Sequence, residues 1–257
     1  MNVLVTSGGT TENIDTVRRI SNMSTGKLGS LIAERFADEP NVERVFYICS
    51  KTALKPQTGK LEAVYVDSVS SLENAVREVT AKADMDIIIH CMAVSDYRVK
   101  SVSSASNLAD VVLSNLGVLK DLDEQEAKSA LASLIGRAPP LAQRDGKISS
   151  NLDDMILFME RTPKIISLFQ TLSPGAALVG FKLLDNVPHE TLIDRGFQIL
   201  TQNKCDFVFA NDLKDIRGEQ HVGYLIEKDK KYTRYTCKSE IANAIVTATM
   251  QKKRRSV

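Results

Sequence analysis

Asn2-Val-Leu-Val-Thr-Ser-Gly-Gly-Thr10 opens the chain with a short apolar run that ends abruptly in hydroxyls and glycines. Apolar residues without polar alternation fit a strand covered on both faces. Two adjacent glycines let the backbone turn sharply where that strand stops. Working outward, residues 24–38 place Leu28, Leu31, Ile32, Arg35 and Phe36 at helical spacing, with Ser24 or Thr25 available to cap the first turn. Strands are expected at 45–49 and 63–66. The capping-box sequence Ser70-Ser-Leu-Glu73 then starts a helix that runs to about Lys82. Asp86-Ile-Ile-Ile-His-Cys91 is another buried strand. Strands separated in this way by helices imply a parallel sheet with right-handed crossovers and helices on both faces. The fold class expected is therefore α/β: a Rossmann-like, mostly parallel sheet flanked by helices.

The rhythm breaks at about 99–146. This Ser- and Ala-rich stretch carries two weakly amphipathic helical segments, at 107–116 and 123–135, and a Pro139-Pro140 break. It reads as a flap-like excursion from the sheet. Alternation resumes with a strand at 155–160, Pro163 at the first position of a helix, a strand at 177–183, a helix at 188–203 and a strand at 206–210. Residues 222–228 and 232–236 flank Lys-Asp-Lys-Lys as an antiparallel β-hairpin, spanning 222–236, before a final helix beginning near Ser239. No internal repeat is visible, and the Lys-Lys-Arg-Arg run near the end reads as a solvated tail. Residues 1–257 are treated as a single α/β domain, a length able to bury a large core.

Composition narrows the choices of partner. Lys and Arg total 33 against 32 acidic residues, leaving a formal charge of +1 that gives nucleic acid or an anionic membrane no broad basic surface. No apolar run approaches the ~18 residues of a membrane span, and no signal-peptide pattern precedes the first strand, so a cytoplasmic location is expected. Cys49, Cys91, Cys205 and Cys237 lack CxxC spacing and read as reduced residues. The three histidines have no helical metal-ligand partner, and no protein metal site is expected.

Several segments can carry chemistry. In Thr6-Ser-Gly-Gly-Thr-Thr-Glu12, the glycines bring bare N–H groups close to an anion at the carboxyl end of a strand, where open parallel sheets bind ligands. An ordinary strand-to-loop turn is the plainer alternative. The pattern is neither GxGxxG nor a P-loop. Val17-Arg-Arg-Ile-Ser-Asn-Met-Ser-Thr-Gly-Lys27 gathers hydroxyls and cations ahead of a helix start, where unpaired N–H groups and the helix dipole favour an anion. Helix capping with surface charge would also account for it. Two such segments within 27 residues favour one shared phosphate site. Ile89-His-Cys-Met-Ala-Val-Ser-Asp-Tyr97 ends a buried strand on a carboxylate able to accept from a ribose, a base amine or a metal-bound water, although a lone Asp in a turn is more often structural. Gly146-Lys-Ile-Ser-Ser150 offers a lysine with hydroxyls that could clamp a phosphate or transition state, although an ordinary surface lysine is the plainer reading of this segment alone. Val179-Gly-Phe-Lys182 and Phe209-Ala-Asn-Asp212 sit at strand ends where a base could stack on Phe181, although a core aromatic and a helix cap serve equally well.

Taken in order, VTSGGTTE, VRRISNMSTGKLG, AVSDY, GKISS, RTPKII, GFK and AND resemble the phosphopantothenate-cysteine ligases, also called phosphopantothenoylcysteine synthetases, over nearly the whole chain. The resemblance implies joining of 4'-phosphopantothenate to L-cysteine in coenzyme A biosynthesis, through an acyl-nucleotidyl intermediate formed from CTP or ATP with Mg2+. It implies that Lys147 stabilises charge as the anhydride forms, and that Asn22 binds the acyl substrate and intermediate. Arg18 would help to hold substrate. Ser7, Gly8, Gly9, Thr10, Ser24, Thr25 and Gly26 would meet the phosphates. His90, Cys91, Met92, Asp96 and Phe181 would frame the ribose and base. Departures from the pattern concern the nucleotide. The lysine is followed by Ile-Ser-Ser, in the style of stand-alone members, where fusion-type members continue a Lys-rich run. Ile199 and Asn203 stand near turns where the latter carry lysines. CTP is the expected nucleotide. A separate decarboxylase would use the product, and the family's usual homodimer makes the C-terminal hairpin a candidate interface.

An NAD(P)-dependent oxidoreductase is the competing reading, because the opening strand–helix unit and an Asp at a strand end occur in dinucleotide folds. The absence of GxGxxG and of an acidic residue ending the strand at 45–49 weighs against it.

Overall fold

The apolar run at the start forms the middle of a sheet, and the order of strands around it decides where a ligand can bind. The computed structural model describes residues 1–141, 143–144, 146–149, 152–218 and 220–254, the side chains of 143 and 144 excepted. Ser150 and Arg255, which belong to motifs quoted above, lie outside the described residues. The elements run β1 (Asn2–Ser7), β2 (Thr11–Asn13), β3 (Arg19–Ser21), α1 (Lys27–Asp38), β4 (Arg44–Ser50), β5 (Leu61–Val66), α2 (Val69–Lys82) and β6 (Ile87–His90). They continue as β7 (Tyr97–Ser103), α3 (Ala105–Ser114), α4 (Leu116–Lys120), α5 (Glu124–Gly136), β8 (Gln143–Arg144), β9 (Lys147–Ile148) and β10 (Ile156–Arg161). After these come α6 (Ile165–Leu172), β11 (Ala177–Leu184), α7 (His189–Gln202), β12 (Phe207–Arg217), β13 (Gln220–Ile226), β14 (Tyr232–Cys237) and α8 (Lys238–Arg254).

Two compact units result: Met1–Thr10, Ser21–Val94 and Pro163–Val257 form unit 1, and Thr11–Ile20 with Ser95–Thr162 form unit 2. Unit 2 takes in the excursion expected at 99–146 together with a piece of chain before α1.

Unit 1 is built on an eight-stranded sheet ordered β14-β13-β12-β11-β6-β1-β4-β5. From β5 to β12 every neighbouring pair is parallel, whereas β12–β13 and β13–β14 are antiparallel. The expected α/β class with a C-terminal hairpin is borne out. Numbered along the chain, the six parallel strands read 3-2-1-4-5-6, so the order reverses between β1 and β6. Alternate side chains of β1 serve the two faces. Val3 and Val5 pack with Ile32 and Phe36 of α1 and Ile241 and Ile245 of α8, while Leu4 packs with Leu72 and Val76 of α2, Phe169 of α6 and Leu192 of α7. Phe36 is fully buried, and truncating it to Ala would cost about 3–5 kcal/mol.

Among its described residues, unit 2 contains three two-stranded ladders. One pairs β2 with β3, another pairs β10 antiparallel to β7, and the third pairs β8 with β9. The strand expected at 155–160 exists as β10 but is not part of the main sheet. Its partner β7, beginning at Tyr97, gives no strong sequence signal because Arg98, Lys100 and Ser101 dilute its apolar residues.

Helix boundaries differ from the sequence expectations in three places. The cap of α2 is Ser68, whose hydroxyl accepts from Ser71 N at 3.2 Å while the Ser71 hydroxyl accepts from Ser68 N at 3.0 Å. Glu73 is left to pair with Arg77 one turn on, at 2.8 Å. Helix α6 starts at Ile165 with Lys164 as its cap, so Pro163 precedes the helix. At α1 the cap is Gly26, in a left-handed conformation (φ 71°), and neither Ser24 nor Thr25 takes that place.

Candidate functional site

In unit 1 the strand-order reversal opens at the carboxyl ends of β1 and β6, and the backbone there is tightly stitched. Cys91 N donates to Thr6 O (3.1 Å), Ala93 N to Gly8 O (2.8 Å) and Thr10 N to Ala93 O (3.1 Å). Residues 8–10 therefore run beside 91–93 beyond the sheet proper. Asn22 N donates to Thr10 O at 3.0 Å, so the second hydroxyl-rich segment hangs directly from the first. Gly9 makes this approach feasible, because a Cβ there would fall onto the Asn22 carbonyl oxygen. Gly8 serves the turn differently. Its φ of 87° is left-handed, and an added Cβ would meet Ser50 and Ala53 beyond the end of β4.

The start of α1 closes the same corner. Ser7 Oγ donates to Gly26 O at 3.1 Å, and a Cβ on Gly29 would collide with the Ser7 hydroxyl. No side chain caps α1, and its first turn holds no acidic residue. Lys27 N donates to Thr25 Oγ1 at a long 3.4 Å, and the positive dipole end of this twelve-residue helix favours an anion. The sequence signals Gly29 only as a glycine interrupting an otherwise good helical pattern.

His90 and Cys91 meet this corner in their uncharged forms. Burial pushes the His90 imidazole down to about 4, and its Nδ1 shares a 2.8 Å hydrogen bond with the Thr6 hydroxyl while the ring sits edge-on to Phe169. Burial pushes the Cys91 thiol up to about 12. Met92 is buried. Phe181 follows Gly180, the register partner of His90, and packs its ring against Phe209 at 5.7 Å. Asp212, from the same strand-end group, acts structurally. Burial alone would raise its carboxyl, but N–H bonds from Val187 (3.0 Å), Asn186 (2.8 Å) and Lys214 (3.1 Å) hold it below the usual range. It fastens the turn that leads into α7.

Arg18, Asp96 and Lys147 belong to unit 2. Asp96 is exposed and its carbonyl accepts from Thr162 N at 3.1 Å. Lys147 is exposed on β9, in register with Arg144. Arg18 does not stand alone. Its Nε and Nη2 donate to Asp15 Oδ2 at 2.9 and 2.6 Å, and Nη2 also donates to Ile148 O at 2.7 Å. The Asp15 side chain is fully buried. Burial would raise its carboxyl, yet Arg18 and the N–H groups of Val17, Arg18 and Ile148 outweigh this and hold it far below the ordinary carboxylate range. The sequence offers Asp15 only as an acid three residues before an arginine.

Together the 3-2-1-4-5-6 order and a glycine- and hydroxyl-lined reversal point define a Rossmann-like α/β protein whose binding edge lies beyond β1 and β6. The chain belongs to the family described as DNA/pantothenate metabolism flavoprotein C-terminal domain, whose model matches residues 1–134 and 137–252. The resemblance carried by the ordered motifs is borne out at that level. The coenzyme A biosynthesis bifunctional protein CoaBC of Thermococcus kodakarensis is 31% identical over 245 residues, covering 95% of this chain and 49% of that protein. The chain thus spans about half the length of the curated relatives it matches. Among solved structures, the DNA/pantothenate metabolism flavoprotein from Streptococcus pneumoniae superposes with a TM-score of 0.78 at 32% identity, over 98% of this chain and 99% of that one. A Cab2 mutant in complex with phosphopantothenate-cysteine shares the fold, with a TM-score of 0.68 at 16% identity over 99% and 88% of the two chains.

Proposed function

We propose that the chain joins 4'-phosphopantothenate to L-cysteine in coenzyme A biosynthesis, giving 4'-phosphopantothenoyl-cysteine, NMP and pyrophosphate. The observation that carries this reading is the corner in unit 1 where Asn22 is hung from Thr10 O near the start of α1, whose cap is a glycine without a side chain. Backbone N–H groups, small residues and a helix N-terminus meet there, as a phosphate-bearing ligand requires. The family match and the relatives in coenzyme A biosynthesis support the same chemistry. They lend no support to the oxidoreductase reading.

In the first half-reaction a carboxylate oxygen of phosphopantothenate attacks the α-phosphorus of the nucleotide and pyrophosphate departs. In the second the cysteine amine attacks the acyl carbon, NMP departs and the nitrogen loses a proton. Ser7, Gly8, Gly9, Thr10, Ser24, Thr25 and Gly26 receive the phosphates in this scheme. Asn22 holds the acyl group through its amide, and Lys147 supplies positive charge as the phosphorus becomes pentavalent. Arg18 holds substrate with Nη1, the guanidinium nitrogen that neither Asp15 nor Ile148 engages. His90, Cys91, Met92, Asp96 and Phe181 frame the ribose and base. A neutral His90 and Cys91 suit a nucleoside better than charged groups would. Mg2+ arriving with the nucleotide would neutralise triphosphate charge, and the hydroxyl oxygens of Ser7, Thr10, Ser24 and Thr25 are of the hard oxygen type that suits that ion. CTP is the proposed nucleotide, the cytoplasm the proposed compartment and a homodimer the proposed assembly.

Incubation with CTP or ATP, phosphopantothenate, cysteine and Mg2+ tests the reading. Cysteine-dependent amide product with pyrophosphate release is expected, and its absence with both nucleotides refutes it. Lys147→Gln is expected to block anhydride formation. Asn22→Asp is expected to permit some, while impairing its use; mass spectrometry of the trapped intermediate separates the two. Wild-type turnover in either variant would remove that residue from the scheme.

A further inference from the structure

The bonds made by Asp15 and Arg18 converge on one short stretch of chain, and that stretch carries Lys147. Thr16 N donates to Gly146 O at 3.1 Å, on one side of the lysine. On the other side Ile148 N donates to Asp15 Oδ2 at 3.2 Å, and Ile148 O accepts from Arg18 Nη2 at 2.7 Å. Gly146 adopts a left-handed φ of 75°, with the space a Cβ would need filled by the Thr16 methyl. Ile148 itself is buried while Lys147 is exposed. A two-residue strand has little stability of its own, and among the described residues only β8 pairs with it. Its alignment therefore depends on the 15–18 turn. That turn is in turn set by Asp15, whose Oδ1 accepts from Val17 N (2.9 Å) and Arg18 N (2.7 Å). One carboxylate thus organises its own turn through Oδ1, and holds both the guanidinium and the lysine-bearing strand through Oδ2.

We propose that Asp15 is a positioning residue for Lys147, acting through Arg18 and the backbone of residues 146–148 without touching substrate. The inference rests on the role given above to Lys147. A flexible four-carbon side chain stabilises a transition state only if its base is fixed, because misplacement by about 1 Å can cost on the order of a hundred-fold in rate. The latch fixes that base. Arg18 gains a second task, since the face turned to Asp15 aligns the lysine segment while Nη1 remains for an anion.

Asp15→Asn keeps the shape but removes the charge and puts an NH2 where one acceptor oxygen stood. Amide hydrogen exchange on the ligand-free protein is expected to quicken at Ile148 by about ten-fold or more as the latch opens, with β1 and β6 amides unchanged. In turnover assays kcat is expected to fall about ten- to a hundred-fold while KM for the nucleotide stays within about two-fold. Arg18→Lys, which loses the shared guanidinium contacts, is expected to give the same exchange signature and serves if Asp15→Asn fails to fold. Unchanged exchange at Ile148, or a loss confined to KM, overturns the proposal. A wild-type protein without ligase turnover refutes the proposed function alone, and the exchange measurement then decides the latch.

Discussion

Replacing Gly9 by Ala puts one methyl group into the closest backbone approach of the candidate site. Gly9 is not among the residues with positive φ, so Ala can adopt its conformation, and the effect comes from space alone. The new Cβ would overlap the Asn22 carbonyl oxygen and lie 3.1 Å from its carbon. Carbon atoms in ordinary contact stand about 3.5 Å or more apart, so the 22–26 segment must retreat by something on the order of 1 Å. Neither partner is a flexible side-chain tip. Retreat strains the 3.0 Å bond from Asn22 N to Thr10 O, which hangs Asn22 on this loop. Overpacking of this kind costs about 1–3 kcal/mol, and a loss of about 2 kcal/mol lowers Tm by roughly 4–8 °C in a protein of this size. If Asn22 holds the acyl substrate, displacement at this scale also reduces kcat on the order of a hundred-fold. Calorimetry and pyrophosphate release measure the two effects. Gly59→Ala is the control, because a Cβ there meets nothing within 4 Å and its effect should stay within about 0.5 kcal/mol. A Gly9→Ala protein with wild-type Tm and turnover would refute both the tight approach and its consequence.

His90 and His221, both pushed down to about 4 by burial, make stability depend on pH in the same window, and His90 gives one separable part of it. Its folded value of about 4 lies below the ordinary histidine value, so the unfolded chain binds the extra proton first as pH falls. The stability this group contributes is complete above about 6.5, and is lost as pH falls toward 4. Unfolding free energies from urea titrations at pH 7.5 and 5 should differ by about 2 kcal/mol from this residue, and His90→Asn should flatten that part of the slope. Asp212→Ala is expected to cost about 1–3 kcal/mol by stranding the N–H groups of Asn186, Val187 and Lys214, read in the same titration. Equal midpoints for that variant and the wild type would show that the turn before α7 holds without the carboxylate.

How much of this was legible in the sequence depended on whether a signal was local. The parallel strands β1, β4, β6 and β11 are apolar runs between helical repeats, so the α/β class could be read directly. Their order could not, although it is what puts the reversal at the ends of β1 and β6. Order is set by which helix covers which face, a long-range matter that no run of residues records. Strand β10 shows the same failure: its apolar residues mark a strand, but pairing with β7 rather than with the main sheet depends on the polar stretch 97–103, which carries no strand signature. At α2, Ser70 and Glu73 satisfied the spacing of a capping box that Ser68 and Ser71 supply. Serine-rich stretches offer several registers, and backbone geometry selects one.

The site divides along the same line. Glycines, hydroxyls and Asn22 were legible because backbone turns and helix starts demand particular residue types near particular elements. The reason for two adjacent glycines was not legible, since Gly8 answers to a left-handed turn and Gly9 to a segment thirteen residues further along. Asp15 is the sharper case. Nothing near it in sequence distinguishes it from a surface acid, because the group that gives it meaning, the backbone of Ile148, lies 133 residues away. The buried carboxylate is stable there only because Arg18 and three N–H groups meet it at once. That dependence is reciprocal. The residues that keep Asp15 ionised are the ones whose placement it controls, so a change at 15, 18 or 146 should be felt at the same lysine.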